Sequence, residues 1–198
     1  MALYLIRIFV VVTLLSSCGR QSDGKVSSKV ENTSADPITF IPAGFELLDS
    51  VSGNLDNDNL KDFLLICRPI GEDTLSIAED SLLHRKMLIL KASAGNQYTL
   101  AAQSENAVYC YSCGGMYGDP YAGLQIDAPA FTIAHYGGAA ERWTRSLTFT
   151  YEPGTCDWFL TKDESKLFDA LNTNSVEVET KTPANFGKIT FSNFNIYL

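Results

Sequence analysis

Ten residues, Gly53-Asn54-Leu55-Asp56-Asn57-Asp58-Asn59-Leu60-Lys61-Asp62, constrain this chain more than any other stretch. Oxygen-bearing side chains fall at Asn54, Asp56, Asp58 and Asp62. Counted from Asn54 these are the first, third, fifth and ninth places of a tight loop. Asn59 takes the sixth place, where such a loop needs a left-handed turn residue, and Asn tolerates that conformation. Apolar runs at 45–51 and 63–66 flank the loop. A run of this kind cannot lie inside a helix or a strand. It closes a β-hairpin, with alternate residues pointing inward. Calcium takes six to eight oxygen ligands from carboxylates, amide oxygens, backbone carbonyls and water. The expected ligand set is Asn54, Asp56, Asp58, the Leu60 carbonyl and Asp62. The bland alternative is a hairpin closed by Asx-turns with no ion, because Asn and Asp are common turn residues.

An EF-hand does not fit. Its loop ends in a bidentate Glu at the twelfth place, which here is Leu65. The spacing resembles the Asp-x-Asp-x-Asp-Gly-x-x-Asp hairpin loop of integrin-type propeller repeats, called FG-GAP or VCBS repeats. Two departures stand out: Asn54 replaces the first Asp and removes a charge, and Asn59 replaces the Gly. The resemblance implies a calcium-stabilised hairpin. A single copy of the loop implies one hairpin device rather than a complete propeller.

The N-terminus carries a targeting signal. Residues 1–17 contain one charge, Arg7, followed by an apolar run over 8–15 broken only by Thr13. That run is shorter than the roughly 20 residues a spanning helix needs. It ends in Leu15-Ser16-Ser17-Cys18, which resembles the lipobox of bacterial lipoproteins. The resemblance implies cleavage before Cys18, acylation of that residue and a membrane partner reached through the lipid anchor. Gly19 in place of Asp points to the outer membrane of a Gram-negative bacterium. Residues 18–37 then form a lipidated cysteine and a polar tether, too poor in apolar residues to bury a core. The net charge of -8 argues against nucleic acid as a partner, which would need a basic face.

Residues 38–198 are expected to form one mainly β domain of antiparallel meander sheets, sandwich-like or partly propeller-like, with at most one short helix. Residues 63–67 are apolar at every position, the mark of a central strand covered on both faces. Residues 69–81 read as an exposed loop ending in a helical turn near 77–83. Hairpins are expected at 86–92 with 97–102, at 124–127 with 130–136, and at 143–151 with 157–161. Residues 163–171 are the best helix candidate, and 176–180 with 188–191 make a last β pair.

A wider pattern covers about 120 residues. It runs Ile41-Pro42-Ala43-Gly44, the acidic loop, Arg85 with the strand to Leu90, Cys113-Gly114-Gly115-Met116-Tyr117-Gly118-Asp119-Pro120, His135-Tyr136-Gly137-Gly138, Arg142-Trp143 and Asp157-Trp158-Phe159-Leu160. It resembles a family of uncharacterised bacterial proteins of similar size, often lipid-anchored. The resemblance implies fold and location and carries no activity.

Cysteine usage adds a further expectation. An exported chain meets an oxidising compartment, so Cys67, Cys110, Cys113 and Cys156 allow up to two disulfides. Cys110 and Cys113 are the candidate pair. A redox dithiol and a zinc site with His135 or Cys156 are the alternatives. His84 reads as solvated and His135 as a residue of an apolar strand face. No nucleophile elbow, zincin helix or P-loop is present. The expected role is a binding or structural accessory module of the cell envelope, with a protein or glycan partner. Tyr109, Tyr111, Tyr117, Tyr121 and Tyr136 are either a glycan surface or core filling. A small periplasmic hydrolase with a cleft near His135, Asp119 and Arg142 is the alternative function.

Overall fold

The computed structural model describes residues 32–79, 82–172 and 175–198. The targeting segment, Cys18 and the tether as far as residue 31 lie outside the described residues. The described chain forms two five-stranded antiparallel sheets. The first holds β1 (Thr33–Ser34), β2 (Phe45–Gly53), β3 (Asp62–Pro69), β4 (Lys86–Ser93) and β5 (Gln97–Ser104), in the order β1-β5-β4-β3-β2. The second holds β6 (Tyr121–Asp127), β7 (Ala130–Gly138), β8 (Glu141–Glu152), β9 (Asp157–Asp169) and β10 (Val176–Lys181), in the order β10-β9-β8-β7-β6. Apart from β1, each sheet is a meander, as short connections between antiparallel strands dictate.

The sheets face each other across one core. Leu64, Ile66, Met87 and Ile89 of the first sheet meet Phe131, Ile133, Leu147, Phe149, Trp158 and Leu160 of the second. The C-terminal residues Phe191, Phe194 and Ile196 complete it. A second apolar cluster covers the outer face of the first sheet. There Leu65, Cys67, Leu88 and Leu90 lie under Phe40, Ile41, Phe45, Phe63 and Tyr98. Strand β3 is therefore central and covered on both faces, as its uninterrupted apolar run predicts.

Three sequence expectations are corrected. Residues 163–171 are not a helix: β9 runs on to Asp169, paired with β8 on one side and β10 on the other. Two ladders outweigh the weak helix propensity of a nine-residue stretch. Strand β10 pairs with β9, and 188–191 contributes only the isolated bridge Phe159↔Thr190. The stretch after β3 is not an open loop, because α1 (Glu72–Glu79) forms there and buries Glu72. A single further helical turn, α2 (Pro183–Phe186), follows β10. The Ala128–Pro129 bond joining β6 to β7 is cis. Among the described residues no helix is long and apolar enough to cross a membrane.

Candidate functional site

The acidic loop connects β2 to β3, as its flanks require, and it is ordered from within. The Asn54 side-chain oxygen accepts from the backbone N–H of Asn57 at 2.7 Å and of Asp56 at 3.3 Å. Asp56 Oδ1 accepts from Asp58 N at 3.2 Å, and Asp58 Oδ1 from Leu60 N at 2.8 Å. Asn57 and Asn59 take positive φ, the conformation their side chains tolerate best after Gly. Each step is an Asx-turn, so alternate side chains are drawn inward.

Contacts beyond the loop decide its role in the fold. Asp62 is fully buried, its Oδ2 accepting from Leu55 N at 2.8 Å and its Oδ1 from Ala92 N on β4 at 2.9 Å. Burial raises the Asp62 pKa above the ordinary carboxylate value. The Ala92 and Leu55 N–H groups pull it down, and the charges of Asp56 and Asp58 push it up. Leu55 is buried in the main core, and its carbonyl accepts from the Trp158 indole N–H on β9 at 3.3 Å. The loop therefore ties both sheets together at one end of the sandwich. Asp56, with a side chain only 3% exposed, pairs with the Lys91 ammonium of β4. Burial opposes the Lys91 charge, but the Asp56 hydrogen bond and charge outweigh it and hold the pKa above its ordinary value.

Whether these residues suit a hard cation can be judged from the donor set. One carboxylate oxygen from each of Asp56, Asp58 and Asp62 lies within 4.8 Å of the others. Three carboxylates around one centre demand cationic charge, and Lys91 supplies only one unit of it, on Asp56. Of the five expected ligand residues, Asp56, Asp58 and Asp62 bring carboxylate oxygens, the donors calcium takes, to one place, while the Asn54 side-chain oxygen is engaged by backbone N–H groups of the loop.

A second charged centre lies between the sheets. Arg85, just before β4, is fully buried. Its guanidinium donates to both Glu72 oxygens, with Nε at 2.8 and 3.1 Å and Nη2 at 2.8 Å. On its other side Nη1 and Nη2 donate to Asp119 at 2.8 and 2.7 Å. Burial opposes the Arg85 charge, yet Asp119 and Glu72 more than compensate and raise its pKa. Asp119 Oδ1 also accepts from Tyr121 N, and the Tyr121 hydroxyl donates to Asp49 on β2 at 2.6 Å. Burial, then that Asp49 contact, pushes the Tyr121 phenol well above its usual range.

His135 sits beside this network, 1% exposed, its ring edge-on to Tyr109 and Tyr121. Its Nε2 accepts from Tyr109 N at 3.5 Å, and its Nδ1 has no hydrogen-bond partner among the described residues. Burial, then the Arg145 charge, drives its pKa down to about 3. Arg142 is elsewhere, its guanidinium 4.7 Å from the Tyr117 ring centre and 6.0 Å from that of Tyr136. No hydrogen bond or ion pair joins any two of His135, Asp119 and Arg142 among the described residues. The three residues of the hydrolase alternative thus sit in separate surroundings: His135 in the core, Asp119 on Arg85, and Arg142 over the edge-to-face rings of Tyr117 and Tyr136.

Cys110 and Cys113 form a disulfide, which removes both thiols from any zinc set. It closes the start of the 3-10 segment Tyr111–Tyr117. Cys67 is a buried free thiol whose pKa burial pushes up to about 11, so it stays protonated and inert. His84 is exposed, near Asn106 Oδ1 at 2.9 Å.

Sequence reasoning missed Lys91 and the Glu72–Arg85 pair. Lys91 is one Lys at a strand end, and only the β3–β4 pairing sets it against the loop. A trace of the second was legible: Arg85 and Asp119 both belong to the wider motif pattern. Compared with protein-family models, curated proteins and solved structures, the chain gives no significant match to any.

Proposed function

We propose that this chain is a binding or structural accessory module of the bacterial cell envelope, tethered through a lipid on Cys18. Its β2–β3 hairpin is held by a calcium ion. The outer membrane of a Gram-negative cell is its location, and its partner is a protein or glycan of the envelope. The observation that carries the calcium reading is the cradle of Asp56, Asp58 and Asp62, three carboxylates within 4.8 Å of one another, with one ammonium to balance them. Asn54 supplies an amide oxygen and Leu60 a backbone carbonyl. The ion would neutralise the clustered charge and rigidify the join between the sheets. The chemistry asked of it is structural.

Two measurements test the proposal. Thermal melting with and without calcium reads the loop. A ligand at 100 times its Kd stabilises the folded state by about 2.7 kcal/mol. Asp58→Asn is expected to shrink that response while keeping the acceptor for Leu60 N. A melting temperature that ignores millimolar calcium would leave the hairpin an ion-free turn. Mass measurement of the mature N-terminus reads the anchor, and an unmodified Cys18 thiol would remove it.

A further inference from the structure

Past the main core, the inner face of the second sheet runs on beyond the first sheet, bordered by Tyr109 against Trp143 and by the C-terminal residues Ile196 and Leu198 beside Arg145. A bulge at Thr148/Phe149 swaps the parity of β9. Upstream, Trp158 and Leu160 face the core; downstream, Asp163, Ser165 and Leu167 take that face. Cross-strand pairing aligns three ranks: Trp143, Leu167 and Glu177; Arg145, Ser165 and Glu179; Leu147, Asp163 and Lys181. Leu147 is buried, but every residue of β10 is exposed. This shelf carries a groove of about 440 Å³ lined by Trp143, Ser165, Lys166, Leu167, Glu177, Val178 and Glu179. A smaller hollow of about 260 Å³ continues it past Arg145 and Lys181.

Two properties set the shelf apart. The first is its edge. Strand β10 ends the sheet, and among the described residues nothing pairs with its outer side. Natural edge strands are commonly blunted by Pro, bulges, covering segments or charged side chains, and among the described residues β10 has the last of these, on Glu177, Glu179 and Lys181. The six residues Val176–Lys181 contain no Pro and pair with β9 without a bulge. They present a row of unpaired N–H and C=O groups with Val176 and Val178 exposed at 47% and 57%. The second is charge. Asp163 is matched by Arg145 at 2.8 Å, and Lys166 by Glu164 at 3.2 Å. Glu179 is approached by Lys181 at 3.3 Å, while Glu177 has no ion pair among the described residues. The uncompensated charge on the shelf is therefore negative and lies on β10 itself.

We propose that β10 is a docking edge for an extended peptide segment of a partner protein, basic at alternate positions. The segment adds as a further strand, its backbone completing the open ladder. Its basic side chains, two residues apart, project over Glu177 and Glu179. Further in, Trp143 is held by packing across Gly137, where a Cβ would come within 2.5 Å of the ring, and edge-on to Tyr109. The proposal does not depend on the calcium loop, which lies in the hairpin of the other sheet.

The test is fluorescence anisotropy with a labelled peptide of about eight residues alternating Lys and Val, long enough to cover β10. Binding is expected to weaken about tenfold or more in the Glu177→Gln/Glu179→Gln double variant, and further with added salt. These residues are exposed, so melting should be unchanged. A peptide of the same sequence, N-methylated at alternate backbone nitrogens, should bind far more weakly because it cannot complete the ladder. Three outcomes overturn the proposal: no binding at about 1 mM peptide, equal binding of an alternating Glu and Val peptide, or undiminished binding of the N-methylated one. Sedimentation of the protein alone gives a fourth, since a dimer lost in a Val178→Lys variant would assign the edge to a second copy of the chain.

Discussion

The acidic loop and the Arg85 centre both set carboxylates around one tethered cation, yet they differ in how many of the carboxylates that cation reaches. At Arg85 a planar guanidinium with five N–H donors meets two carboxylates side-on, and hydrogen bonds run from all three of its nitrogens. The Arg85 and Glu72 side chains are fully buried. At the loop a flexible ammonium reaches one of three carboxylates. The first centre is closed, because every guanidinium nitrogen is bonded and both carboxylates share the one buried cation, which leaves a single net negative charge. The second is open, because one Lys leaves most of the negative charge unmatched. A closed centre fixes the fold, and the open one is where the proposed calcium ion would act.

The largest expected effect comes from opening the closed centre. Arg85→Ala leaves Glu72 buried without its counter-charge, and breaking a buried pair typically costs about 3–5 kcal/mol. Urea unfolding should show the loss, and a cost below about 1 kcal/mol, the range of exposed pairs, would place Arg85 with the loop instead.

Next comes His135, which borders that centre and faces Tyr109 and Tyr121 along with the charges of Arg145, Arg85 and Asp119. Its folded pKa lies near 3, below the unfolded value of 6.5. The unfolded chain therefore binds the proton more readily. Stability falls as pH drops from about 6.5 towards 3, by at most about 1.4 kcal/mol per unit. Above pH 6.5 this group contributes no slope. His135→Leu should flatten the acid limb relative to the parent, and an unchanged limb would show that the carboxylates alone cause it.

The smallest effect sharpens the open centre. Lys91→Met removes a part-exposed ion pair worth about 1 kcal/mol or less. Calcium-free protein should melt slightly lower, while the melting shift on adding calcium should grow, because a competing cation is gone. A smaller shift would mean that Lys91 helps shape the ion site rather than competing for it.

The two centres also differ in how far the sequence reveals them. The loop's side chains lie within nine residues, so spacing alone exposes the hairpin, the Asx-turns and the carboxylate cluster. Glu72, Arg85 and Asp119 are separated by 13 and 34 residues. Nothing local marks Glu72, which in sequence is an ordinary polar residue of a polar stretch. The error at 163–171 has a similar origin. Local preference favours a helix there, while the ladders to β8 and β10 impose a strand.

The sequence by itself determined the mainly β class, the doubly covered central strand β3, most hairpins and the loop at 53–62. Each of these depends on residue type and short spacing, through period-two alternation and turn chemistry. Tertiary structure alone decided that Lys91 meets Asp56, that Arg85 bridges α1 to the segment before β6, and that β10 ends the second sheet as an exposed edge. Those outcomes come from pairing distant strands and stacking two sheets. Their energies depend on which faces meet, a property no short window of sequence contains.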